Sequence, residues 1–351
     1  MKMMQQRHKS NGFTLIELII SVVILGILIA AVAPLVSSAF MFMEAAKKDE
    51  NEITNRNLAN AMIDFSRTRT GVMKSRLPDP VNTSAPIVAG LFNEASTNSE
   101  SIALGVLLKS TGVGPNQINF DNAVVQNARV YQRVSDLTFN MPLYVTTGPS
   151  MRLTYDYAVV YSTRCGAATA CYTSASSSNP PGDSPVLNSG NYSSWKTVGS
   201  DYGAVAFSSL SEQKNLLRIT AGRLNMLTER FNVDFHNKVR LSSADSATNF
   251  FPTNNGGLDL GNTNPVANMG CRDGWYTLSA ANVDVLTQLG LDKSEYGVTP
   301  WGGIISYCRD YDPAGTGTHN SPPHYGALRI NKGTTSLGVP AVISDAAILT
   351  F

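Results

Sequence analysis

Between Leu18 and Met43 the chain carries no charged side chain, only Ile, Val, Leu, Ala, Phe and Met interrupted by a few small or polar residues. As a helix this stretch of 26 residues reaches about 39 Å at ~1.5 Å per residue, more than the ~30 Å hydrocarbon thickness of a bilayer. A polar, basic stretch, MKMMQQRHKSNG, precedes it. From Glu44 to about Arg69 the pattern changes. Ile53, Leu58, Met62 and Phe65 recur at helical spacing among Lys47, Lys48, Asp49, Glu50, Glu52 and Arg56, which predicts that the helix continues with one buried face. Gly71 and then Leu77-Pro78-Asp79-Pro80 close it with helix-breaking residues.

Further along, alternating apolar residues rich in Tyr and Val predict strands at Ala128–Ser135, Pro142–Thr147 and Met151–Tyr161, and again near Trp301–Cys308, Tyr325–Ile330 and Val339–Phe351. Ser209-Leu210-Ser211-Glu212 has capping-box spacing. The apolar face of Leu216, Leu217, Ile219, Leu224, Leu227 and Phe231 behind it predicts a second long helix over about 210–235. A shorter helix is expected at Asn282–Gly290, ended by its glycine. The stretch Cys171–Trp195 is rich in Ser, Asn, Pro and Gly and reads as an exposed loop. The fold class is α+β: a long N-terminal hydrophobic helix packed on an antiparallel sheet in an enlarged, disulfide-bonded head.

Composition narrows the function classes. The 351 residues carry a net charge of +1, and loss of Lys2, Arg7 and Lys9 would leave −2, so nothing suggests an electrostatic nucleic-acid binder. The chain lacks HExxH, GxxxxGK[ST] and GxSxG, and an enzyme is not expected. No cofactor is expected either. Metal ligation by cysteine is disfavoured by the lack of a CxxC pair and the scarcity of histidine. Asp310, Asp312, Gly315 and His319 form a polar loop that matches no complete EF-hand and reads as a solvated turn. The four cysteines, Cys165, Cys171, Cys271 and Cys308, suit an oxidising compartment and two disulfides, with three pairings open. Lys2, Arg7 and Lys9 beside the apolar run predict a cytoplasmic N-terminus with everything after the run across the membrane.

Two placements are specific. A secretory signal has its small-residue cleavage site after the apolar region. Here Gly12 lies before that region, and Glu17 sits just inside it. A carboxylate in a membrane helix costs about 2.5–3.5 kcal/mol at mid-helix, so Glu17 calls for a partner or a function. The run Gly12-Phe13-Thr14-Leu15-Ile16-Glu17 followed by an unbroken apolar helix resembles the prepilin cleavage and methylation signature of type IV pilins and type II secretion pseudopilins.

The resemblance covers about Gly12–Phe65. It implies cleavage after Gly12 by a prepilin peptidase, N-methylation of Phe13, and pairing of the Phe13 amine of one subunit with Glu17 of a neighbour. Pro34, with Gly26, adds to it, and implies a kink or a locally melted segment in the helix. The boundaries it implies are a cleaved leader at 1–12, a transmembrane and filament-core helix at 13–43, an amphipathic continuation at 44–70 and a globular head at 71–351. The expected partners are prepilin peptidase, other pilin subunits through the N-terminal helix, and the inner membrane before assembly; the final location is a surface filament. A stapled loop closed by Cys271 and Cys308 is a further implication, with a Cys165–Cys171 bridge beside the Ser/Asn-rich loop.

The size of the head favours a minor or tip-located, adhesive subunit. Pro300-Trp301-Gly302-Gly303 with Tyr307 echoes a segment of the pseudopilins, which are the alternative, although the retained Glu17 argues against their large tip member. The alternative of another class is a membrane-anchored receptor or enzyme domain with an uncut anchor.

Overall fold

A computed structural model describes residues 15–78, 128–144, 148–163, 182–242, 247–252, 269–272, 274–278, 284–316, 321–332 and 346–351, with single positions at 102, 106 and 110. Gly12, Phe13, Cys165, Cys171 and His319 lie outside the described residues. The chain divides into two compact units, Met1–Ile53 and Thr54–Phe351. One helix, α1 (Leu15–Thr68), contributes to both. Helical structure is unbroken through Pro34, whose carbonyl accepts from Ser37 Oγ at 3.0 Å.

In the second unit, β1 (Ala128–Pro142), β2 (Ser150–Thr163) and β3 (Tyr202–Ser208) form an antiparallel sheet in the order β1-β2-β3. The expected break after Ser135 is a bulge. Register shifts between Val134 and Leu137, with Asp136 at φ 61°, and the strand then runs on to Pro142 opposite Ser150. Pro142 therefore ends β1 instead of opening another strand, and Leu143 and Tyr144 follow as a bend. Short β3, containing Gly203 and two alanines, has too weak an alternation to stand out in sequence.

Helix α2 (Leu210–Leu241) follows β3 directly. Its apolar face, Leu216, Leu217, Leu224, Leu227 and Phe231, packs with Met151 and Leu153 of β2 and with a second sheet. That sheet is antiparallel, in the order β4 (Tyr276–Thr277), β5 (Ile305–Cys308), β6 (Ala327–Asn331) and β7 (Ala346–Thr350). Two single turns, α3 (Val285–Gln288) and α4 (Lys293–Tyr296), precede β5. The first is capped by Asp284 accepting from the Thr287 amide, and Gly290 at φ +70° follows it.

The Ser209–Glu212 capping box does not form. Ser209 Oγ instead accepts from the Asp156 amide of β2 at 3.0 Å, and Glu212 reaches Arg67 of α1 at 2.7 Å. Tertiary partners outcompete the local cap. The Asp312 carboxylate is engaged by the Ala314 amide and the Thr316 hydroxyl, the pattern of a turn.

Within Cys171–Trp195 the described part, from Gly182 on, is anchored: Leu187 is buried, and the Trp195 ring lies tilted at 45° against Tyr161, centroids 5.4 Å apart, while donating to the Pro185 carbonyl.

Cys271 and Cys308 are joined in a disulfide that closes 37 residues and sits with Trp275 and Ala327 in a small core. Opening this loop by Cys271→Ser with Cys308→Ser should cost about 4 kcal/mol by chain entropy. Thermal unfolding of the detergent-solubilised protein measures it, and an unchanged midpoint would mean that the second sheet does not depend on the staple.

Candidate functional site

The described residues of the N-terminal unit form a helical surface, and none of them belongs to an apolar core. Of the large side chains described between Leu15 and Met43, all are exposed, among them Leu15 at 79% and Phe42 at 76%. An uninterrupted apolar surface of this extent is not sustained in water. Every backbone hydrogen bond within a helix is internal, so lipid or other helices can cover it. Among the described residues, α1 is the one helix long and apolar enough to cross a membrane. Glu17 is exposed one residue before the uncharged run, and Ser21 Oγ donates to its carbonyl at 2.7 Å. A side chain at Gly26 would meet nothing in this chain, which leaves a smooth patch on the helix.

The other end of α1, within the second unit, is built to hold. Leu58, Ala61, Met62 and Phe65 pack on Val130, Ala158, Val160 and Tyr161 of the first sheet. Ile53, expected on this face, is 60% exposed, because it stands five residues before Leu58 and so falls off the buried stripe. Asn55, three before Leu58, takes that place and is fully buried. Its amide donates to Ser162 Oγ of β2 at 3.2 Å and to the Gly203 carbonyl of β3 at 2.8 Å, and its Oδ1 accepts from Arg129 Nε of β1 at 3.1 Å. One polar side chain thus ties the helix to all three strands.

Two further hubs fix the chain as it leaves the helix. The buried Asp156 carboxylate meets Arg76 Nη2 at 2.7 Å, accepts from Arg76 Nε and from the Leu77 amide at 2.8 Å, and has Arg133 Nη1 at 3.7 Å. The β1 bulge brings Asp136 to Arg76 at 2.9 Å. Burial alone would lower the Arg76 pKa, but Asp156 and Asp136 outweigh it and the value is raised. Bonds from Arg76 and Ser135 hold the Asp136 carboxyl below its ordinary range.

The second hub is Gln213 of α2, whose amide donates to the carbonyls of Lys74 and Ser75. Its oxygen accepts from Trp301 Nε1 at 2.8 Å. Trp301 belongs to the Pro-Trp-Gly-Gly turn, and a Cβ at Gly303 would lie 1.9 Å from the Asn331 carbonyl oxygen. Only glycine fits there.

Of the residues that sequence singles out, the structure therefore places Glu17 and Pro34 on one helix and joins Cys271 to Cys308. Asn55, Asp156 and Gln213 are not among those residues. Asn55 alone leaves a trace in sequence, as a polar residue at a stripe position.

Residues 7–33 match the family model described as the prokaryotic N-terminal methylation motif, the prepilin-type signal of type IV pilins and pseudopilins. No curated protein and no solved structure matches the chain.

Proposed function

We propose, from a chain that carries a prepilin-type methylation motif, that this protein is a structural subunit of a type IV pilus. The observation that carries this reading is a single helix. Its first part is uncharged and exposed behind the motif, and its last part is locked to a folded head by a buried apolar stripe and Asn55. An ordinary anchor needs the first part alone.

In this reading prepilin peptidase cuts after Gly12 and the new N-terminus of Phe13 is methylated. Residues 13–43 lie in the inner membrane, N-terminus inward, until the subunit is extracted into the filament, and 44–70 lead into the head at 71–351. The Phe13 ammonium of one subunit neutralises Glu17 of the next, so both charges leave lipid only in register. Pro34 frees a backbone carbonyl one turn earlier, giving the helix a place to yield during packing. The large head suits a minor or tip-located subunit presenting an adhesive surface. The Pro-Trp-Gly-Gly turn, with Trp301 buried, keeps a type II secretion pseudopilin as the second reading.

The test is mass and N-terminal sequencing of protein from membranes and from sheared surface filaments. A start at N-methyl-Phe13 in both fractions is expected; a processed form confined to membranes would favour the pseudopilin, and an uncut N-terminus would overturn both. Glu17→Ala should leave insertion and cleavage intact while lowering filament-associated protein about tenfold or more, the factor that 1.4 kcal/mol represents. Unchanged yield would remove the amine–carboxylate pairing.

A further inference from the structure

The outward face of α2 carries features that the head does not use. Opposite its buried stripe, Ile219, Met226 and Val233 are 41%, 37% and 50% exposed, at intervals of seven residues. Seven-residue spacing is the seam of helix on helix. In line with them lies Gly222. Glycine in mid-helix is destabilising relative to alanine, and a Cβ there would meet no atom within 4 Å. Among the described residues nothing in the head therefore requires it, whereas a helix approaching from outside would. The exposed charges of α2 are Arg218, Arg230 and Arg240 against Glu229, a net of +2.

We propose that this seam docks the Phe42–Ile53 stretch of α1 from a second copy of the chain. That stretch is helical and exposed, with Phe42, Ala46 and Ile53 spaced along one side. Its four carboxylates, Glu44, Asp49, Glu50 and Glu52, stand against Lys47 and Lys48, a net of −2. Small Ala46 suits the gap at Gly222, and the carboxylates suit the arginines. Two α2 faces meeting each other would set arginine against arginine. An anionic membrane would attract the same arginines, but an interfacial helix buries a broad apolar face, whereas this seam is one residue wide and bounded in line by exposed Asn215, four residues before Ile219, and Asn237, four after Val233. The inference rests on the filament reading, though not on tip placement, since it needs adjacent copies.

The experiment is disulfide trapping in sheared filaments from cells co-expressing two full-length variants, Met226→Cys and Ala46→Cys, so that any new dimer joins different chains. A dimer is expected that exceeds the background of either variant alone. Gly222→Ala should raise the thermal midpoint of the head and yet lower the dimer yield severalfold, an effect that a purely structural glycine would not produce. Filaments of normal yield without the mixed dimer would overturn the interface and leave the filament reading standing. A dimer in Met226→Cys alone would overturn it in favour of paired α2 faces. A polarity-sensitive dye attached to the thiol of the Met226→Cys variant that shifts on anionic phosphatidylglycerol vesicles, with no mixed dimer in filaments, would overturn it in favour of a membrane. Absence of the wild-type chain from filaments would overturn this inference and the filament reading together.

Discussion

Asp156→Ala should destabilise the head by about 3–5 kcal/mol, the cost of removing one partner from a buried ion pair. The carboxylate has no exposed surface, whereas the Arg76 side chain is 14% and the Arg133 side chain 12% exposed. Deleting it leaves two guanidinium groups in a poorly solvated space and takes the acceptor from the Leu77 amide. Asp136 still faces Arg76 from the bulge, but it is largely exposed and screened, so it compensates little. Its own pairing has a defined pH sense. The Asp136 carboxyl is depressed by Arg76, so its contribution is present above the ordinary carboxylate pKa and fades as pH falls through the lowered value. Chemical denaturation of the solubilised protein near neutral pH measures the Asp156 effect; a loss below about 1 kcal/mol would mean that the two arginines find water without it.

The second large effect is expected at the other end of the chain, where Gly12→Val should abolish conversion to the shorter form. The resemblance implies cleavage between Gly12 and Phe13, inside the matched segment 7–33. A β-branched side chain replaces the residue with no Cβ at the bond to be cut and stiffens the backbone there. Intact mass of the membrane fraction should show only unprocessed chain, retaining Lys2, Arg7 and Lys9. Normal processing of this variant would move the cleavage site elsewhere. Because Gly12 precedes the folded head, the head's unfolding transition should be unaffected, which separates a processing defect from a folding one.

Both long helices were legible because their signals are repeated many times. The apolar run from Leu18 to Met43 cannot be mistaken for a strand, and Leu216 to Phe231 repeats one face over several turns. The bulged strand was harder. Ser135-Asp136 reads locally as a stop, and only the partner strand, which continues opposite it, shows that it is not. Ser209 and Glu212 spelled a helix cap, yet their side chains serve Asp156 and Arg67, residues distant in sequence. For the same reason the Asp156 and Gln213 hubs left no sequence signature. Each is a set of groups drawn from three or more segments, and no periodicity records such a meeting. The prepilin-type segment was the opposite case, because its chemistry is linear and is written in consecutive residues.

Asn55 has a mechanical corollary. A pull on α1 does not reach the sheet through one strand that could peel away by itself. It arrives at β1, β2 and β3 together, through one side chain whose three bonds share the tension. Such an attachment yields as a unit or holds as a unit. Under force-spectroscopy pulling from the helix, the sheet should therefore rupture in one step, and Asn55→Leu, which keeps the volume and deletes the bonds, should divide that rupture into smaller ones.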